Sequence, residues 1–233
     1  MLLISALAMT AAFCFQAAFN VAMSNNLIDL DALGVPFAAV EMTQSGLIIF
    51  GRLMGGVFLI LAARPLAPRS EGVRTILFGG GAVFLVAAGV NAVLFLSSLI
   101  DADPMRMLMT SGDADAWTIR LAMSAVFLLC DVTVGVFAIL AGIRFRGSLL
   151  AIGILVAILC GMQAVHDTMD IWFGTVMEFD IEAPSRLERE LTELWFDHAE
   201  LRWRVMQHVD LVTKALFGLL ACLTASRLQH RHA

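Results

Sequence analysis

A lysine and an aspartate lie one helical turn apart inside an apolar stretch of the sequence. The segment HVDLVTKALFGLLACLTASR, residues 208–227, contains Asp210 and Lys214, and Lys214 is the only lysine of the chain. Side chains four residues apart share one face of a helix. Ionisable side chains at membrane depth are costly, and they mark pathways for ions and protons. This spacing predicts an ion pair inside a membrane span.

Two further charges fall near the centres of other apolar segments. Arg52 lies in the second segment, and Asp131 lies in the fourth, within LLCDVTVG. With Asp210 and Lys214 they predict an ionic layer that three helices build, with Arg52 and Asp131 as its second pair. Such a layer can relay ions or protons, or it can consist of salt bridges that fix the register of the helices.

Histidines and an aspartate lie near the outer ends of the fifth and sixth segments. His166 and Asp170 are four residues apart in QAVHDTMDIW, His208 lies in the outer part of the sixth segment, and His198 lies beyond it. Three interpretations stay open: a hydrogen-bonded polar rim, a proton relay toward outer water, or a divalent metal site. The spacing fixes no third metal ligand, so the metal is unknown.

The composition predicts an integral membrane protein. Hydrophobic residues make up 60% of the 233 residues and charged residues 15%, against about 25% charged in soluble domains. About 20 apolar residues span a bilayer. Six segments reach this length, which predicts one all-α bundle over residues 1–233. They are residues 2–24, 43–64, 74–100, 117–143, 148–173 and 203–226.

The charges of the connecting links alternate along the chain. Arginines follow the second, fourth and sixth segments, and they are Arg64, Arg69, Arg74, Arg144, Arg146, Arg227 and Arg231. The other three links are acidic, with eight acids from Glu178 to Glu200 in the last one. Arginine and lysine favour the cytoplasmic side. We therefore expect both termini in the cytoplasm and the protein in the inner (cell) membrane.

The long acidic link has a helical pattern of its own. Ser185 followed by Glu188 forms a capping box, and leucines recur at helical spacing after it. This predicts an amphipathic helix at residues 185–200 on the outer surface. It is either a lead-in to the last span or a lid or partner-docking helix.

The last segment resembles the last helix of microbial rhodopsins of the proteorhodopsin type. The resemblance rests on Asp210 and Lys214 in DLVTKALFGLL, about a dozen residues. In that family the lysine carries retinal as a Schiff base, and the aspartate belongs to its counterion. The resemblance implies retinal as a cofactor, with Lys214 and Asp210 as its binding residues.

Three functions follow from these patterns. The first is the handling of protons or small ions, in a rhodopsin-like retinal protein or without a chromophore. The second is a non-catalytic structural or assembly subunit, which binds membrane-complex partners or its own copies. The third is a metal-dependent membrane enzyme at the outer face. The sequence contains no basic run for nucleic acid and no nucleotide-binding loop, so it favours a lipid-embedded protein that is not an enzyme.

Overall fold

The computed structural model describes residues 1–25, 27–28, 34–68, 70–99, 114–178 and 186–230, without the side chains of 37, 97–99, 114–120, 170, 173–178 and 186–188. These ranges contain seven helices and no strand. The helices are α1 (Leu2–Ser24), α2 (Phe37–Leu66), α3 (Glu71–Leu99), α4 (Ala114–Phe145), α5 (Ser148–Glu178), α6 (Arg186–Asp197) and α7 (Ala199–His230).

Six of these helices, all except α6, are long and apolar enough to cross a membrane. The predicted all-α fold with six spans is confirmed to that extent. Several helices extend beyond the predicted apolar stretches: α2 begins at Phe37, and α7 runs from Ala199 to His230. Backbone hydrogen bonding does not stop where apolar residues stop, and so hydropathy underestimates the length of a helix that continues into a polar link.

The six long helices pack as a closed ring. Each packs against the next long helix in chain order, α5 packs against α7, and α7 returns to α1. Helices α2 and α4 also contact α7. Because Thr10 lies beside Cys222 and Gln16 beside Lys214, α1 and α7 are antiparallel. The start of α1 and the end of α7 therefore lie at one end of the ring, here called the termini end, and the opposite end is the far end.

A buried aromatic cluster joins three helices near the termini end. Phe137 on α4 meets Phe58 on α2 and Phe217 on α7 edge to face, with ring centroids 5.3 and 5.8 Å apart. All three rings are almost completely buried. Edge-to-face contacts of this kind add to the stability that burial of the rings supplies. The cluster closes the ring toward the termini end.

Close backbone contacts bring neighbouring helices together. A Cβ atom at Gly56 of α2 would lie 2.8 Å from the Gly81 carbonyl oxygen of α3.

Helices α4 and α5 are joined by a short turn in which Arg146 and Gly147 both have positive φ, 54° and 59°. Glycine adopts this backbone conformation without strain.

The long acidic link contains the separate helix α6. The predicted helix at residues 185–200 is shorter in the structure, and Ser185, its predicted cap, lies outside the described residues. A turn at His198 separates α6 from α7. Thr192 is buried, so α6 packs against the protein. Its place on the outer surface and its role as a lead-in, a lid or a partner-docking helix stay predictions.

Candidate functional site

A cavity of about 380 Å³ lies inside the ring. Side chains from α1, α2, α3, α4, α5 and α7 line it. Its wall combines aromatic and aliphatic side chains with the four predicted mid-membrane charges. The charged members are Arg52, Asp131, Asp210 and Lys214. The predicted ionic layer therefore surrounds an internal space and does not form a solid core of salt bridges.

Lys214 and Asp210 form the predicted pair. Lys214 Nζ donates to Asp210 Oδ2 at 2.7 Å and to Gln16 Oε1 of α1 at 2.8 Å. Gln163 Nε2 of α5 donates to Asp210 Oδ1 at 3.2 Å. The pair is thus tied to both helices that flank α7. These hydrogen bonds compensate part of the cost of removing the two charges from water.

The predicted pair of Arg52 and Asp131 is wrong in this structure. Both residues line the cavity, but no ion pair joins them in the described part of the chain. The Arg52 guanidinium lies over the Phe127 ring, 4.2 Å from its centroid. Phe127 is one turn before Asp131 on α4, about 6 Å along the axis. A cation–π contact has replaced the expected salt bridge.

Two buried polar atoms at the cavity wall have no hydrogen-bond partner among the described residues. They are Arg52 Nη1, a donor, and Gln207 Oε1, an acceptor. Gln207 is one turn from Asp210 on α7, toward the far end. Buried polar groups are nearly always hydrogen-bonded in native proteins. Both residues line the cavity, so a polar molecule in it is one way to supply the missing partners.

A second polar cluster borders the cavity near the far end. Arg202 Nε donates to His166 Nε2 at 3.3 Å, and His166 Nδ1 donates to Asp167 Oδ1 at the same distance. Arg202 also donates to the Trp195 carbonyl of α6, and its guanidinium lies 3.9 Å from the centroid of that tryptophan ring. Because His166 and Asp167 line the cavity, this cluster connects α6 to its rim.

The other predicted histidine ligands do not come together there. His208 is exposed, and its Nδ1 donates to the Arg204 carbonyl at 2.8 Å. It lies in a separate apolar groove between α5 and α7, while His198 is exposed in the turn after α6. The side chain of Asp170 is outside the described residues. No cluster of three or more potential metal ligands occurs in the described part of the chain.

Sequence reasoning missed the amide side chains of the site. Gln16 and Gln163 bind the Lys214–Asp210 pair, and Gln207 faces the cavity. Gln16 is a polar residue within an otherwise apolar segment, and Gln163 and Gln207 lie among apolar residues and the predicted charges of their spans. That pattern was a usable signal, because an uncharged amide in a span also needs hydrogen-bond partners.

Compared with known proteins, the chain matches no family model, no curated protein and no solved structure.

Proposed function

We propose that this protein handles protons or small ions through the cavity inside its helix ring. The observation that carries the proposal is Asp131, a carboxylate on the cavity wall without a hydrogen-bond or ion-pair partner among the described residues. A carboxylate that no neighbour holds can take up and release a proton or attract a cation. Lys214 is instead engaged by Asp210 and Gln16, which suits a fixed charge that sets the local field.

The aromatic cluster supports a gated pathway and not an open pore. Phe217 lines the cavity and also belongs to the buried cluster with Phe58 and Phe137. Ions that reach Asp131 from the far end meet this cluster next. Passage to the termini end therefore requires the rings to move, as in alternating access.

Flux measurements in liposomes test the proposal. Protein is reconstituted with a trapped pH-sensitive dye, and a potassium diffusion potential drives cations inward. We expect dye acidification that Asp131→Asn reduces by roughly tenfold or more, since removal of one relay group costs this much or more. Asp197→Asn, which removes an exposed acid of α6, is the matched control. Equal flux in the wild type and Asp131→Asn would contradict the proposal.

Retinal binding is a second candidate, favoured by the surroundings of Lys214. Its amine reaches a cavity with aromatic walls, and a carboxylate lies 2.7 Å away. Five aromatic side chains line this cavity, namely Phe13, Phe84, Phe127, Trp203 and Phe217. An amine beside a carboxylate within an apolar pocket fits a covalently held polyene aldehyde, which would supply light absorption.

Colour after regeneration with all-trans-retinal tests this candidate. We expect a visible band well to the red of free retinal, which hydroxylamine bleaches and Lys214→Ala abolishes. Glu200→Gln changes an exposed acid at the start of the same helix and should leave the band unchanged. A folded but colourless protein would end the retinal proposal and leave the ion-handling proposal intact.

A further inference from the structure

Two charged groups of the cavity wall take part in no ion pair among the described residues, and they are here called its two poles. Lys214 and Asp210 satisfy each other at 2.7 Å, and Asp167 contacts His166. This leaves the Arg52 guanidinium and the Asp131 carboxylate, which line the same space without an ion pair between them among the described residues. One pole is cationic and the other anionic.

The two poles lie at similar depth in the ring. Arg52 and Asp131 are each 14 residues from the ends of their helices at the termini end, Leu66 and Phe145. The guanidinium covers the ring of Phe127, and Phe127 precedes Asp131 by one turn of α4, about 6 Å along the helix axis. A molecule with both charges on neighbouring atoms can reach both poles at once.

An ion of one sign at either pole leaves the other pole without a partner. A zwitterion provides a partner of opposite charge for both poles at once. Its carboxylate can accept from Arg52 Nη1, which has no acceptor among the described residues, and its ammonium can donate to Asp131. Gln207 Oε1, also without a partner there, offers a further acceptor.

The remaining wall indicates the body of the ligand. Ile48, Phe84, Val134 and Phe217 are apolar side chains of the same cavity. Its volume of about 380 Å³ falls within the roughly 300–1,000 Å³ of small-molecule sites, which combine apolar walls with a few placed polar groups. We propose that the cavity binds an α-amino acid with an apolar side chain, with its carboxylate on Arg52 and its ammonium on Asp131.

This inference goes beyond the proposed function, because binding is measured in purified protein without any ion flux. The test compares L-leucine with isoamylamine, which has the same apolar body and only the positive charge, and with isocaproate, which has only the negative charge. Calorimetry and thermal unfolding in detergent report binding, since a ligand that binds the folded state raises its Tm. We expect leucine to bind at least roughly tenfold more tightly than either analogue, the scale of one lost charged hydrogen bond.

Variants then assign the two poles. Arg52→Gln should weaken leucine binding by roughly tenfold or more and should keep or improve isoamylamine binding. Asp131→Asn should weaken leucine binding by a similar factor and should keep or improve isocaproate binding. Asp197→Asn, at an exposed position on α6, should leave all three affinities unchanged. Absence of leucine and phenylalanine binding at millimolar concentration would overturn the proposal, as would equal binding of leucine and either analogue. These outcomes come from the wild-type protein, so they stand even where a variant does not fold.

Discussion

At the scale of single residues, we expect Lys214 and Asp210 to depend on each other for the stability of the fold. We expect Lys214→Met to lower the free energy of unfolding, because Asp210 then keeps a charge with only Gln163 beside it. The two side chains retain 23% and 29% of their exposure. The loss should therefore fall below the about 3–5 kcal/mol of a fully buried pair.

The double variant Lys214→Met with Asp210→Asn separates charge pairing from packing. It should recover much of the lost stability, since neither charge then remains without its partner. Thermal melts in detergent measure both variants. If the single and the double variant melt at the same temperature, the two charges are not energetically coupled.

The sequence predicted the residues of the site better than their contacts. The Lys214–Asp210 pair followed from helical spacing alone, because both residues share one turn of one helix. The expected Arg52–Asp131 pair depends on how α2 faces α4, and there Phe127 took the guanidinium instead. Contacts between side chains of different helices depend on rotations and rotamers that spacing does not contain.

At the scale of helices, hydropathy predicted all six spans, because length and apolarity are local properties. The ring order was not predictable in the same way. The contact of α1 with α7 joins Gln16 to Lys214 across 198 positions of sequence, and single-sequence patterns carry no signal for such a contact. Glycines are the one local sign of helix–helix packing in the sequence, since they occur where the backbones of two helices approach closely.

The approach of α2 to α3 provides a test at the same scale. A Cβ at Gly56 would lie 2.8 Å from the Gly81 carbonyl oxygen and 2.9 Å from Leu85. We expect Gly56→Ala to destabilise the protein by about 1–3 kcal/mol, because a backbone atom cannot move away cheaply. Thermal melts of the purified variant measure the loss.

Gly46 provides the matched control on α2. No atom lies within 4 Å of a Cβ placed there. Gly46→Ala should be neutral or stabilising by about 0.5–1 kcal/mol, since alanine restricts the unfolded chain without a clash. A Gly46→Ala variant as unstable as Gly56→Ala would show that the close α2–α3 contact is not what causes the loss at Gly56.

At the scale of the whole molecule, charge distinguishes the two ends of the ring. Antiparallel contacts between α1 and α7 put the start of α1 and the end of α7 at the termini end, where the short α2–α3 and α4–α5 connections also lie. The helix ends beside those connections carry Arg64, Arg74 and Arg144, and the α4–α5 turn carries Arg146, whereas α6 at the far end has more acidic than basic residues. Because arginine-rich links stay in the cytoplasm, we expect the termini end to face inward.

Cysteine labelling in intact cells tests this orientation. Ser70 is exposed in the α2–α3 connection, and Asp197 is exposed at the end of α6. In a background without Cys14 and Cys222, which are half-buried, a membrane-impermeant maleimide should label Asp197→Cys in intact cells. It should label Ser70→Cys only after lysis. The reverse pattern would mean the opposite orientation, with the far end of the ring, toward which the cavity extends, on the cytoplasmic side.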